Sequence, residues 1–284
     1  MVSYVVDLKK LTKIVFRFLR RHDVPEHFSR SKNERYSMHQ MLVLFVLYCL
    51  VDLPIDRFGE LVKILDLHLL DLTRAPHYST MWRAWRRIPP RFLRKLVKLS
   101  GRGGRDKCVS IDPTFFQLTN PSISYCKRTG RNIMREPNRK TTIAVGTRSL
   151  RIKDAVIHKD SHRHGLDDFE ELAGPWMSGK TVVADTEFDA EERFHQIILA
   201  HEGKGVAPLR HKNVPIWRTK GSRRKELRRK WPGRSYHRRV MSETTNSMLK
   251  RGMSATLRGR TVWQQARHFY GKCLTPNLLM RTQQ

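Results

Sequence analysis

The spacing of apolar and polar residues divides the chain into two parts. Up to about residue 100, apolar positions recur every three or four residues, which predicts short amphipathic helices. The segment "SMHQMLVLFVLYCLVD" is apolar almost all round, which is typical of a buried helix. After the glycine-rich connector "SGRGGRDK", short β-branched runs alternate with helical patterns. We therefore predict an all-α domain over 1–100 and a mixed α/β domain over 101–284.

Two predicted strands of the second part end on an aspartate. "CVSID" ends at Asp112, and "GKTVVAD" ends at Asp185. A carboxylate at the end of a buried strand is held rigidly at the sheet edge where ligands bind. Asp189, four residues after Asp185, is instead expected to help start the helix "AEERFHQIILAHEGKG".

The charge of the chain indicates a polyanionic partner. The formal net charge is +30, from 56 Lys and Arg against 26 Asp and Glu. Such an excess favours nucleic acid. A membrane is a weaker candidate, because the longest apolar run is about half as long as a spanning helix and no signal-peptide pattern opens the chain. Four scattered cysteines predict reduced thiols, and hence a cytoplasmic protein. With a nucleic-acid partner, we expect it to be nucleoid-associated.

The segment "YHRRVMSETTNSMLK", residues 236–250, predicts a helix that carries one carboxylate among cations. At about 100° per residue, one narrow face displays four side chains: Tyr236, Arg239, Glu243 and Lys250. Met241 and Met248 lie on a different, apolar face, so we expect the helix to dock through its methionines. Alone, the acid and the arginine could be an ordinary surface ion pair, although arginine preceding glutamate is the weaker orientation.

Two aspartates and one glutamate in a basic protein suit phosphodiester cleavage. Two Mg²⁺ ions about 3.5–4 Å apart can activate the attacking oxygen and stabilise the leaving one. Mg²⁺ prefers carboxylate oxygens and phosphate. We therefore expect Asp112, Asp185 and Glu243 to bind two Mg²⁺ ions, which Mn²⁺ can replace. The cations around Glu243 would then hold the flanking phosphates.

These residues resemble the DDE triad of insertion-sequence transposases of the cut-and-paste type. The helix matches that group's Y-x2-R-x3-E-x6-K signature at every position. "VSIDPTF" and "VVADTEFDAEERFHQII" resemble its two aspartate motifs, and "HYSTMWRAWRRIP" resembles a helix of its N-terminal domain.

The resemblance implies an RNase H-like fold with an all-α, helix-turn-helix-like domain before it. It also implies binding to terminal inverted repeats of double-stranded DNA, Mg²⁺-dependent cleavage, joining of the freed 3′-OH end to target DNA, and a homodimer in the DNA complex. Tyr236, Arg239 and Lys250 would contact the backbone of the transposon end. Only positions 186–242 separate the second aspartate from the glutamate, which leaves no room for the large β insertion of some relatives that form hairpin intermediates.

Two further basic segments are predicted to contact DNA. "HYSTMWRAWRRIPP" places Arg83, Arg86 and Arg87 on successive turns, as a recognition helix requires, although an ordinary amphipathic helix would show the same pattern. The run "RTKGSRRKELRRK", residues 218–230, predicts a mobile DNA-binding loop unless it is merely solvated. Its predicted contacts are Arg223, Arg224, Arg228 and Arg229.

Two other functions stay open at this point. A nuclease of the same fold could cut DNA without joining it, and a domesticated relative could bind DNA without catalysis. The histidine-rich segment "HKDSHRHGLDDFEE" matches no closed zinc pattern, so we expect a loop that leads into a helix.

Overall fold

A computed structural model describes the chain over residues 7–28, 34–118, 138–160, 162–211 and 213–282. The first part is helical, as predicted. Its α-helices are α1 (Leu8–Arg21), α2 (Met38–Val51), α3 (Ile55–Ile64), α4 (Tyr78–Arg87) and α5 (Pro90–Ser100).

The apolar segment forms α2 and is buried along most of its length. Ser37 starts it with a capping box, in which the Ser37 hydroxyl accepts from the Gln40 amide and the Gln40 side chain accepts from the Ser37 amide. In the described part of the chain no single helix is long and apolar enough to cross a membrane, and α2 and α3 reach that length only as a pair bent by 111°.

The second part is built on a mixed sheet. Its strands are β1 (Cys108–Leu118), β2 (Asn138–Gly146), β3 (Ile152–Ile157), β4 (Thr181–Val183), β5 (Lys204–Val206) and β6 (Thr256–Leu257). They lie in the order β3-β2-β1-β4-β5, and β6 pairs with the far end of β1. β2 is antiparallel to both neighbours, whereas β1, β4 and β5 are parallel. The RNase H-like fold predicted for this part is confirmed.

β1 is longer than the sequence pattern predicts. It continues through Pro113 to Leu118, so Asp112 lies within the strand and not at its end. Proline lacks an N–H group and is normally excluded from a paired strand. Pro113 pairs with Thr142 of β2, but the alternation of the ladder turns its nitrogen towards the β4 side, where the pairing has already ended at Ser110.

The helices of the second part cover both faces of the sheet. They are α6 (Gly165–Leu172), α7 (Ile197–Ala200), α8 (Ser222–Arg229), α9 (Gly233–Tyr236), α10 (Val240–Gly252) and α11 (Val262–Leu279). Val109 and Ile111 of β1 pack with α6 in one core. Ser110 and Asp112 alternate with them and therefore face the other side, towards α10.

The predicted domain boundary is a packed junction. Asp154 of β3 is fully buried and accepts two hydrogen bonds from Arg94 of α5, at 2.9 and 2.8 Å. The Asn277 side chain of α11 donates to the Ser100 hydroxyl at 2.9 Å. It also donates to the Ile152 carbonyl and accepts from the Ile152 amide. The helices of the first part, one face of the sheet and α11 consequently share one hydrophobic core.

Candidate active site

Asp112 lies in β1, and Asp185 follows the end of the neighbouring parallel strand β4. The ladder between β1 and β4 pairs Ser110 with Val183, and each aspartate follows two residues later. Adjacent strands lie about 4.8 Å apart, and residues two apart point to the same face. The Asp112 carboxylate therefore belongs to the face that α10 covers. Asp185 accepts a hydrogen bond from the Thr186 amide at 2.7 Å, and its negative charge acts on Asp112 and Arg239.

α10 is held in register along β1 by two hydrogen bonds. The Ser110 hydroxyl donates to Ser242 at 2.8 Å, and the Asn246 amide donates to Asp112 at 2.7 Å. Four residues of α-helix advance about 6.0 Å, and two residues of strand advance about 6.6 Å, so the two pairs stay in step. This register brings Glu243, the neighbour of Ser242, to the Arg239 guanidinium, which also contacts Asp112.

The prediction that this helix docks through its methionines is wrong. Met241 and Met248 are only partly buried, and the face against the sheet consists of Ser242, Thr245, Asn246 and Leu249. β1 offers polar groups on this face, which small polar side chains satisfy and methionines cannot. The helix is also not continuous from Tyr236: α9 ends there, a 3₁₀ turn follows over His237–Arg239, and α10 begins at Val240.

Arg239 lies between the carboxylates. Its guanidinium is 2.8 Å from Glu243 and 3.5 Å from Asp112. Burial lowers the pKa of Arg239, but attraction to Tyr236 and to Asp185, Glu243 and Asp112 outweighs burial and raises it. All three acids therefore act on the same guanidinium.

The surroundings of Asp112 disfavour its charged form. Burial raises the pKa of Asp112 to about 6, although Arg239 and the hydrogen bond from Asn246 oppose the rise. The negative charges of Glu243 and Asp185 add to it. A cation bound beside Asp112 would favour its charged form.

The donor atoms suit a hard divalent cation, because they are carboxylate oxygens. The Asn246 side-chain oxygen is also buried beside Asp112 and has no hydrogen-bond partner among the residues that the structure describes. Among the described residues, however, no group of three or more His, Cys, Asp or Glu side chains has the arrangement of a metal site. The positive charge between the carboxylates belongs to Arg239.

Residues 103–278 match the family described as the transposase DDE domain. The chain belongs to this family. It is therefore a DDE transposase of the RNase H-like type, and DNA is the partner that the family implies. The match includes Asp112, Asp185 and Glu243. No curated protein matches the chain at a significant level.

Sequence reasoning missed three polar residues of the transposase site, Ser110, Ser242 and Asn246. The available signal was a stripe of polar residues four apart in the helix, facing polar residues two apart in the strand. The stripe is visible in the sequence, but its meaning depends on knowing that α10 runs along β1.

The other predicted residues of the Tyr-Arg-Glu-Lys face lie around the acids. The Lys250 ammonium is 5.7 Å from the centre of the Phe116 ring. Burial lowers the pKa of Lys250, and the charge of Asp112 opposes this shift. Tyr236 packs on Trp231 with ring centres 5.1 Å apart, and Trp231 stays 42% exposed.

The arginines of α4 are exposed on the surface of the transposase. Arg86 stacks over Trp82 at 4.5 Å, and Arg87 pairs with Glu34 at 3.3 Å. Trp85 is buried and donates to the Met41 carbonyl at 2.9 Å. α4 is thus an amphipathic helix with a basic outer face, and contact with DNA through Arg83, Arg86 and Arg87 stays a prediction.

The prediction of a mobile loop over 218–230 is wrong for its central part, which forms α8. Arg224 binds the fully buried carboxylate of Asp189 through two hydrogen bonds of 2.7 and 2.8 Å. Asp189 thus anchors α8 and also accepts from the Arg210 amide, a role the helix-start prediction missed.

The remaining arginines of α8 differ in exposure. Arg223 donates to the Gly205 carbonyl at 3.1 Å, and Arg228 donates to the Thr219 hydroxyl at 3.0 Å. Arg229 is exposed. Internal contacts therefore explain much of the basic charge of this run.

The histidine-rich segment leads into α6, as predicted, and His164 caps that helix. His158 lies 3.3 Å from Asp168 and 3.1 Å from Glu171, which places it in an ionic cluster on the far face of the sheet.

Proposed function

We propose that this transposase cuts DNA at the terminal inverted repeats of its element and joins the freed 3′-OH end to target DNA, with Asp112, Asp185 and Glu243 as catalytic triad. One observation carries the proposal: the Arg239 guanidinium pairs with Asp112 of β1 and with Glu243 of α10, and the charge of Asp185, just after β4, acts on the same guanidinium. The three acids repel one another, yet they lie near one another under α10 in a protein with a net charge of +30.

The triad would hold Mg²⁺, or Mn²⁺ in its place, through carboxylate oxygens. Two such ions, when bound, activate the attacking oxygen and stabilise the leaving oxygen of the phosphodiester. Arg239 has to leave Asp112 and Glu243 for this to happen, since its guanidinium now neutralises them. We propose that Arg239 then turns to a DNA phosphate, to which arginine can donate two hydrogen bonds.

Tyr236 and Lys250 flank the acids and would bind the backbone of the transposon end. Lys250 supplies a point charge, and its partial burial beside Phe116 limits where that charge can lie. The Tyr236 side chain is fixed against Trp231 at the start of the same helical stretch. Together with Arg239 and Glu243, Tyr236 and Lys250 match the signature of the Tyr-Arg-Glu-Lys subtype. We propose that this transposase belongs to that subtype.

The first 100 residues would recognise the inverted repeats through the basic face of α4, and two copies of the transposase would bind the two ends.

The segment between Asp185 and Glu243 supports a cleavage site without a large insertion. Over its described residues, 186–211 and 213–242, β5 is the only strand, so nothing resembles a large β insertion. Hairpin formation is therefore not part of the proposal.

A strand-transfer assay tests the proposed reaction. Precleaved end duplexes are mixed with full-length transposase, supercoiled target DNA and Mn²⁺, and joined products are separated by size. Joined ends support a transposase that completes strand transfer. Cleavage of uncut ends without joining would instead indicate a nuclease of the same fold. End binding without either reaction would indicate a DNA-binding protein that has lost catalysis.

A further inference from the structure

A basic pocket lies beside the start of β1, away from the triad. Its volume is about 450 Å³, and its lining consists of Arg105, Lys107, Thr147, Arg148 and Arg238. Three separate segments supply these residues: the connector before β1, the turn between β2 and β3, and the 3₁₀ turn before α10. Four cations and one hydroxyl thus meet at one concave surface.

A buried acid, Asp106, holds together two of the segments that line the pocket, although Asp106 itself is not part of the lining. Asp106 is 4% exposed and accepts from the backbone amides of Arg148 and Ser149, at 3.0 and 2.8 Å. It also pairs with buried Lys153 at 2.8 Å. A Cβ atom on Gly146 would lie 2.3 Å from the Asp106 carboxylate, so glycine is needed for this approach. Asp106 therefore ties the connector to the β2–β3 turn.

Asp106 is also unable to neutralise the pocket. Burial alone would raise its pKa, but its hydrogen bonds with Lys153 and Ser149 lower the pKa overall, so the charge of Asp106 stays paired inside the protein. The four cations of the pocket are all exposed, and none of them forms an ion pair with any residue that the structure describes. Like charges held together in this way repel one another, and a bound anion relieves the repulsion.

The pocket is connected to the triad through two chain segments. Arg238 precedes Arg239, which contacts Asp112 and Glu243. Lys107 lies five residues before Asp112 on an extended chain, a separation of roughly 16 Å. This is of the same order as the roughly 12 Å width of the major groove of B-DNA. A duplex held at the carboxylates can therefore present a second phosphate to the pocket.

We propose that the pocket formed by Arg105, Lys107, Arg148 and Arg238 binds a backbone phosphate of the DNA held at the triad. The proposal rests on the proposed function, because it needs DNA at the carboxylates. The pocket supplies no catalytic group. It anchors the duplex at a fixed distance from the bond to be cut.

The salt dependence of DNA binding by the full-length transposase tests this site. The probe is a duplex with the terminal inverted repeat, titrated at several salt concentrations. Each lost phosphate contact lowers the slope of log K against log salt by about 0.9. We expect the pair Arg105→Ala and Arg148→Ala to reduce the magnitude of the slope by about one, because the pocket holds one phosphate. The pair Arg91→Ala and Lys95→Ala removes the same charge from the exposed side of α5 and should leave the slope unchanged.

Charge-preserving variants separate DNA contact from folding. Arg105→Lys with Arg148→Lys should keep the slope of the parent protein, and its thermal unfolding midpoint should match that of the alanine pair. Equal slopes for the alanine pair and the α5 control, with both end and target duplexes, would overturn the proposal. A changed slope with the end duplex assigns the phosphate to the transposon end, and a change confined to target capture assigns it to the target. The pocket can fail this test while Asp185→Ala still abolishes cleavage, so the two proposals are judged separately.

Discussion

Asp112 carries its negative charge at a cost to the fold, since burial raises its pKa to about 6 from an ordinary value of 3.8. Between these two pH values the folded state binds more protons than the unfolded state, so stability falls as the pH rises through this window. Above pH 6 the penalty is complete and amounts to about 3 kcal/mol. A site that binds metal only when ionised would explain why such a residue is present.

We expect Asp112→Asn to be more stable than the parent protein at pH 8, by up to about 3 kcal/mol, and nearly equal to it at pH 4. Asparagine keeps the acceptor for Asn246 and carries no charge to desolvate. Urea unfolding in the presence of a chelator measures both free energies of unfolding. Asp56→Asn, at an exposed position of α3, is the control. The same difference in stability at both pH values would contradict the burial of this charge.

The residues of the triad could be proposed from the sequence, because strand patterns and the helical signature identify them individually. Their contacts could not be proposed. Asn246 and Ser242 were not expected at the site, since the helical wheel gives only directions relative to the helix axis. Which direction faces the sheet depends on Ser110 and Asp112 of β1, more than 120 residues away.

At the scale of elements, α8 shows why a charge run alone does not identify a DNA-binding loop. The pattern of residues 218–230 is basic throughout, yet its arginines divide into internal and exposed groups. Arg224 neutralises a buried carboxylate of Asp189, a contact that depends on a residue 35 positions away. Arg229 is exposed, and we still propose that it contacts DNA.

Two variants of α8 separate these roles. Arg224→Ala leaves the Asp189 charge buried and unpaired, so we expect a loss of about 3 kcal/mol in the free energy of unfolding. Arg229→Ala should change stability little and lower the salt slope of DNA binding by about one. Chemical unfolding and fluorescence anisotropy measure the two effects. A stable Arg224→Ala variant with a reduced salt slope would reverse the assignment.

At the scale of the whole molecule, the two predicted regions differ in secondary structure but share one of the hydrophobic cores, which lies between them. α11, from the end of the chain, packs against α2 and α5 of the first part and against β3 of the second. Asn277 bonds to both Ser100 and Ile152 at the junction. The connector looked like a linker because glycine and basic residues are typical of linkers, and the sequence does not show that Gly101 packs tightly against Ile152.

A fragment of residues 1–100 is therefore expected not to fold cooperatively by itself. It would expose the apolar face of α2 that α11 covers in the full chain. Circular dichroism during thermal unfolding should show a broad transition for the fragment and a single cooperative one for the full-length transposase. A sharp transition in the fragment, with end binding equal to that of the full chain, would instead establish an independent DNA-binding domain.

The central claim concerns the three acids around Arg239. The most direct measurement is cleavage of a labelled inverted-repeat duplex by full-length variants in Mg²⁺, with end binding measured on the same samples. We predict that Asp112→Ala, Asp185→Ala and Glu243→Ala each abolish cleavage and leave end binding largely intact, whereas Glu192→Ala, at an exposed acid of the same domain, cuts like the parent protein. A triad variant that still cuts at the parent rate would remove that residue from the active site.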